Sequence, residues 1–174
     1  MAMTGEMRAI TVWQPWASLQ SVPIGYTPKG RPRFAKNYET RTWATDYRGP
    51  IAIHAAAKPA RECLREIRDP RALREICTAL LPILYRGDPP KGIGWQDVAV
   101  DLERHLCSLP RRAVICTGEL VDCVKITPEL LHKVGPRELA LGNWEIGGYA
   151  WKITHKRPCV PVTVNGAQGL WRWR

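Results

Sequence analysis

Four segments carry side chains whose types and spacing could do chemistry. In Tyr38 to Trp43, read as a strand, residues two apart share a face, so Glu39, Arg41 and Trp43 line one side and Tyr38, Thr40 and Thr42 the other. A carboxylate that accepts, a guanidinium that donates and an indole that stacks suit a planar polar ligand; the same pattern also describes a cross-face ion pair on a solvated strand. Lys36 precedes Glu39 by three residues and joins that face only by sitting on the loop end and curling back. A desolvated lysine there has a lowered pKa and the chemistry of a base or nucleophile. His54, in the strand Ile51 to Ala55, points opposite to Ile51 and Ile53, as a ligand contact or as a satisfied histidine at the core edge. Glu138 is a carboxylate in the apolar-flanked stretch Pro136 to Trp144, or an ordinary surface residue.

The basic residues matter as a population. There are 26 Lys and Arg against 16 Asp and Glu, a formal net charge of +10. Lys29, Arg31, Arg33, Lys36, Arg41 and Arg48 are concentrated in one stretch, interleaved with Tyr26, Phe34, Tyr38, Trp43 and Tyr47. This is the pattern for single-stranded nucleic acid, where phosphates are neutralised and bases stack. Lys29, Arg31, Arg33 and Arg48 are the candidates for backbone phosphates. Arg61, Arg65 and Arg68 alternate with Glu62, Glu66 and Asp69, which reads as solvated helix surface. No spacing fits a Ser/His/Asp triad, a phosphate-binding glycine loop or a dinucleotide fingerprint. The six cysteines include no C-x-x-C pair, so zinc is not indicated; with no secretory leader they read as reduced, structural thiols. No cofactor or metal is implied. No run approaches the roughly 20 apolar residues that cross a bilayer, and the expectation is a soluble, cytoplasmic protein without a membrane partner.

The elements that must position these residues follow from punctuation and period. The length of 174 residues fits one domain at roughly 100–200 residues each, and 45% apolar content excludes a disordered or fibrous chain. Residues 1–7 read as a flexible leader and 8–174 as the domain. Arg8 to Val12 reads as a strand, and Gln14-Pro15-Trp16 opens a short helix ending by Val22. Residues 23–35 read as a basic loop, then come strands at Tyr38 to Trp43 and Ile51 to Ala55. Helical spacing fills Arg61 to Arg68, Pro70 to Tyr85 and Trp95 to Leu109, with Arg86 to Gly94 a loop between them. Ala113 to Val124 reads as a strand, and Thr127-Pro128 caps a short helix through Lys133. Strands close the chain at Tyr149 to Thr154, Val160 to Val164 and Leu170 to Trp173. The class is α+β, with a small mixed β-barrel or curled sheet flanked by helices and a helical insertion at about 58–110.

Several of these segments, taken in order, resemble the ASCH (activating signal cointegrator homology) family. Ile10-Thr11-Val12-Trp13-Gln14-Pro15-Trp16-Ala17-Ser18-Leu19 resembles its opening, and Lys36-Asn37-Tyr38-Glu39-Thr40-Arg41-Thr42-Trp43 its Lys-x-x-Glu-x-Arg-x-Trp segment. Tyr47 to Ala56, Glu119 to Val124, Leu141 to Trp144, Gly148 to Trp151 and Gly169 to Trp171 continue in the expected order. The resemblance implies a barrel related to the PUA (pseudouridine synthase and archaeosine transglycosylase) domains. It also implies a cleft between barrel and helices, and a role with RNA or modified nucleosides.

Within that resemblance, some bacterial relatives are amidohydrolases that deacetylate N4-acetylcytidine with a Lys, a Thr and a Glu, and others are ribonucleases. Lys36 fits the Lys and Glu138 is the candidate Glu. The position three after Lys is Glu39 rather than Thr, so a carboxylate replaces the hydroxyl that would assist acyl transfer. This favours a binding module for RNA, single-stranded nucleic acid or a modified nucleobase, with Trp16, Lys36, Glu39, Arg41, Trp43 and His54 in the cleft. The alternative is an enzyme with Lys36, Glu39 and Glu138 as its catalytic groups, an amidohydrolase on acylated cytidine or a ribonuclease. A third reading is a protein-interaction domain that does not use the cleft. Of the eight tryptophans, Trp13, Trp16, Trp43, Trp144, Trp151 and Trp171 fall in the family-like segments; Trp16 and Trp43 are the stacking candidates.

Overall fold

Alternating apolar residues lay down the sheet. The computed structural model describes residues 7–85 and 104–174. The expected leader 1–7 therefore falls outside it apart from Met7, as do the predicted loop 86–94 and the first part of the predicted helix 95–109. In β1 (Met7–Val12), Ile10 and Val12 face one way and Ala9 the other; in β5 (Gly49–Ala55), Ile51, Ile53 and Ala55 oppose Ala52. These strands pair in parallel, Ile10 beside Ile53. With β4 (Tyr38–Arg41), β6 (Ala113–Lys125), β7 (Tyr149–Thr163) and β8 (Leu170–Trp173), they form a six-stranded mixed sheet in the order β4-β7-β6-β5-β1-β8.

The class is thus α+β, and β4 and β8 form the two ends of the described sheet. One face buries Ile10, Ile51, Ile53, Ile115, Leu120, Trp151 and Ile153. The short helix α1 (Trp16–Ser21) seats Ala17 on that face and Leu19 in a second core. Gln14 is fully buried and secures this helix: its Oε1 accepts from Ser18 N–H at 3.1 Å, and its Nε2 donates to the Pro110 carbonyl at 2.7 Å.

The second core belongs to the helices. In α2 (Ala60–Arg65) and α3 (Pro70–Tyr85), Ala60, Leu64, Ile76 and Leu80 bury against Leu19, Val22, Leu106, Leu109 and Leu141. Asp69 starts α3, its Oδ1 accepting from Arg71 N–H at 2.9 Å. Residues 104–108 are helical (α4), so the described part of 58–110 is helix-rich as expected. The Thr127 cap on α5 (Pro128–Lys133) also forms, accepting from Leu130 N–H at 3.3 Å. A last short helix, α6 (Pro136–Ala140), packs on α3. No helix of the described residues is long and apolar enough to cross a membrane.

Two expectations need correction. The stretch 23–35 is not simply a loop: β2 (Pro23–Tyr26) and β3 (Pro32–Phe34) pair as a hairpin that raises Lys29, Arg31 and Arg33 into solvent. The two strands expected at 149–154 and 160–164 are one continuous strand, β7. Its prolines, Pro158 and Pro161, are tolerated because β4 covers only residues 149–152 of β7, leaving one side of the later part unpaired among the described strands.

A bulge in β7 matters for the site. Glu119 pairs with Thr154 but Thr117 pairs with Arg157, so β7 carries one extra residue there, and His155 adopts φ +48°. The alternation shifts, and Lys156 turns inward while His155 and Arg157 stay exposed. Gly118 sits beneath the bulge: a Cβ there would come within 2.9 Å of the Thr154 carbonyl oxygen.

Candidate functional site

Edge strand β4 projects Glu39 and Arg41 toward α1 and the helical core. Lys36, just before the strand begins, curls back as expected: its Nζ donates to Glu39 Oε2 at 2.7 Å. Arg41 Nη2 lies 3.1 Å from Glu39 Oε1 and donates to the Thr11 carbonyl at 2.8 Å. Lys36 and Glu39 are 2% and 5% exposed and Arg41 is partly buried, so a buried Lys–carboxylate pair is flanked by a guanidinium that reaches the cleft. Burial alone would raise the Glu39 pKa, but Lys36 and Arg41 beside it outweigh that and hold it below the ordinary carboxylate range.

These side chains converge on one cleft of about 1060 Å³. Lys36, Glu39, Arg41, Trp16 and Trp43 all line it, as do Ile67 and Ala72 of the helical region and Asn143, Glu145 and Gly148 of the loop after α6. Trp43 is braced edge-on against buried Trp151, ring centroids 4.6 Å apart. Thr40 also lines the cleft, its hydroxyl accepting from Asn143 N–H at 3.0 Å.

The other expected residues lie elsewhere. His54 does point away from Ile51 and Ile53, but into a separate cavity. Its Nε2 donates to the Val164 carbonyl at 3.0 Å, its Nδ1 lies 3.3 Å from the Thr11 hydroxyl, and Trp171 packs edge-on to its ring. Burial lowers its pKa, which favours the neutral ring.

Glu138 spends its carboxylate on backbone. Oε1 accepts from Asn37 and Tyr38 N–H at 3.0 and 2.9 Å, and Oε2 from Asn37 N–H at 2.9 Å and Asn37 Nδ2 at 3.2 Å. It ties α6 to the start of β4 and is not among the residues lining the cleft. Arg48 is anchored too, donating to the carbonyls of Thr45 and Tyr47 at 2.9 Å and pairing with Asp122 at 3.5 Å. Lys29, Arg31 and Arg33 stand exposed on the hairpin that leads directly into Lys36.

Three residues of the site were missed in the sequence. Gln20, fully buried on α1, donates through Nε2 to Glu39 Oε2 at 3.4 Å and to the Tyr38 carbonyl at 3.2 Å. Lys156, turned in by the bulge, donates to Gln20 Oε1 at 3.0 Å and to the Lys36 carbonyl, with the Phe34 ring below it. Burial pushes its pKa down to about 8. Trp13, 53% exposed, lines the cleft beside the expected stacking candidates Trp16 and Trp43, and Lys58 Nζ sits 4.7 Å from the centre of its ring.

A signal existed for Gln20, a polar residue on the apolar face of a short helix. Lys156 offered none, since His155-Lys156-Arg157 reads as a solvated basic run. No family model matches this chain, and no curated protein matches it.

Proposed function

We propose that the protein binds single-stranded nucleic acid, RNA in the first instance, with a base or modified base held in the cleft and the backbone crossing the basic hairpin. One observation carries this reading: Lys36, Glu39 and Arg41 meet in a single cleft walled by Trp13, Trp16 and Trp43. A rigid array of donors beside flat aromatic faces suits a planar base with acceptor atoms on its edge. Glu39 has given most of its lone pairs to Lys36, Gln20 and Arg41, so its role is to fix the two cations; Lys36 and Arg41 make the ligand contacts. Lys29, Arg31 and Arg33 supply the phosphate contacts, and Arg48, anchored on Asp122, is not one of them.

The resemblance to ASCH domains supports the same reading, because its segments supply β1, α1, β4 and the Gly142–Asn143 part of the loop after α6, which stand around the cleft. A PUA-like curled sheet belongs to the proposal on those grounds. Binding is preferred to N4-acetylcytidine deacylation because the lysine such a reaction needs as a base already donates to Glu39 Oε2 at 2.7 Å. The Glu needed to move protons is likewise occupied by backbone N–H groups.

Fluorescence anisotropy with labelled single-stranded RNA and DNA of mixed sequence tests the proposal. Binding should weaken with salt, log K falling by about 0.7 per phosphate neutralised for each decade of salt. Absence of binding to either polymer at low salt overturns it. Turnover of N4-acetylcytidine that disappears in Lys36→Ala would replace it with the hydrolytic reading.

A further inference from the structure

Thr11, Trp13, Arg41 and Trp43 each stand in the walls of two cavities. Beside the cleft lies a second cavity of about 680 Å³, completed by His54, Arg112 and residues 165–169. The shared residues make the two cavities neighbours.

The second cavity is held in shape by specific contacts. Gly166 lies so close to His54 and Thr11 that a Cβ would fall 2.4 Å from His54 Cε1 and 2.7 Å from Thr11 Oγ1. Only glycine lets the segment pass there, and it is pinned on both sides: Thr11 Oγ1 donates to the Ala167 carbonyl at 2.9 Å, and His54 Nε2 to that of Val164 at 3.0 Å. Arg112 adopts φ +51°, a conformation most side chains avoid, and the Val164 N–H donates to its carbonyl at 2.9 Å. Such a backbone persists where surrounding contacts over-determine it, and here it places an exposed guanidinium on the outer wall of the cavity.

Arg41 occupies the junction. Its Nη2 is committed to Glu39 and Thr11, its Nε is buried without a partner, and its Nη1 makes no hydrogen bond among the described residues. A guanidinium fixed through Nη2 with Nη1 unused, set between two cavities, is placed for an anion that links two ligand groups.

We propose that the two cavities are consecutive nucleotide subsites, with Arg41 at the linking phosphate, Arg112 at the next, and exposed Trp13 as the stacking face between them. The ligand is then a nucleotide step within a strand rather than a free nucleoside. This inference rests on the nucleic-acid reading above and narrows it.

Calorimetric titration of the whole chain with the ribonucleoside 5′-monophosphates and with 5′-phosphorylated dinucleotides tests it. The best dinucleotide should bind at least about tenfold more tightly than the best monophosphate, the gain of one further stacked base. Ala57→Trp fills the second cavity from an exposed position on its wall. Arg112→Asn removes the guanidinium while keeping a residue that accepts positive φ. Each should bring dinucleotide affinity down to that of the monophosphate and leave the monophosphate's own affinity unchanged. Equal affinities in the wild type, or a dinucleotide advantage that survives both substitutions, would overturn the two-subsite proposal while leaving nucleic-acid binding intact. No binding of mononucleotide, dinucleotide or longer RNA would remove both.

Discussion

Burying Glu39 between Lys36 and Arg41 takes three charged groups largely out of water, and apolar residues of similar volume would commonly serve stability as well or better. The arrangement is therefore better explained by what it presents to the cleft than by what it contributes to folding. Removing the carboxylate should be severe: Glu39→Gln leaves two cations without their counter-charge and should destabilise by about 3–5 kcal/mol, read by urea denaturation. The acid limb is informative too. Because the folded pKa of Glu39 lies below its unfolded value, its contribution is present above the unfolded pKa and is lost as pH falls through the folded one. The wild type should lose its stability advantage over Glu39→Gln on that acidic side.

Lys156 works in the opposite sense. Its folded pKa of about 8 lies below the ordinary 10.5, so between these values the unfolded chain binds more protons. The penalty for burying the ammonium lifts as pH rises through that window. Wild-type stability measured against Lys156→Met should therefore climb from about pH 8 to 10.5, and a flat difference would contradict the burial of this amine.

At the scale of elements, the hairpin β2–β3 and the bulged strand β7 divide the labour. The hairpin is an exposed arm whose charges make no ion pair among the described residues. Replacing Lys29, Arg31 and Arg33 together by Gln should leave stability within about 0.5 kcal/mol per site. The same variant should lower the salt slope of RNA binding by about 2, three phosphates at about 0.7 each. The bulge is structural: Gly118→Ala pushes a methyl against the Thr154 carbonyl and the Lys156 side chain, at a cost of about 1–3 kcal/mol measured by thermal melting. Its RNA affinity should fall as well, because Lys156 holds both Gln20 and the Lys36 carbonyl.

The strands β1, β5, β6 and β8 and the capped helix α5 were legible because alternation and punctuation act locally. The hairpin was hidden by Pro and Gly punctuation that in fact flanks and turns two short strands. The unity of β7 was hidden by prolines that an unpaired strand side accepts. Glu39, Arg41 and Lys36 were legible as neighbours in one segment. The role of Glu138, about a hundred residues away, depended on α6 docking against β4, which no local pattern encodes. The inward turn of Lys156 came from a single extra residue in the ladder, and one residue reverses every subsequent facing.

For the whole molecule, the net charge of +10 is a statement about field and partners rather than fold. Among the described residues, the two larger apolar cores, one on the sheet and one among the helices, are joined through α1 and partly buried Trp16, and a small third cluster of Ala9, Ala52 and Val114 lies on the opposite face of the sheet. The cleft opens where the two larger cores meet, so its walls belong to different packing units, and a ligand spanning them should stabilise both. Cys116 offers a way to see this. Its thiol is fully buried in the sheet and burial pushes its pKa up to about 11, whereas Cys107 and Cys159 are exposed. An alkylating reagent should consume the exposed thiols at once and reach Cys116 only when the sheet opens beside Lys156. Its labelling rate becomes a clock for that opening, one that a bound strand should slow.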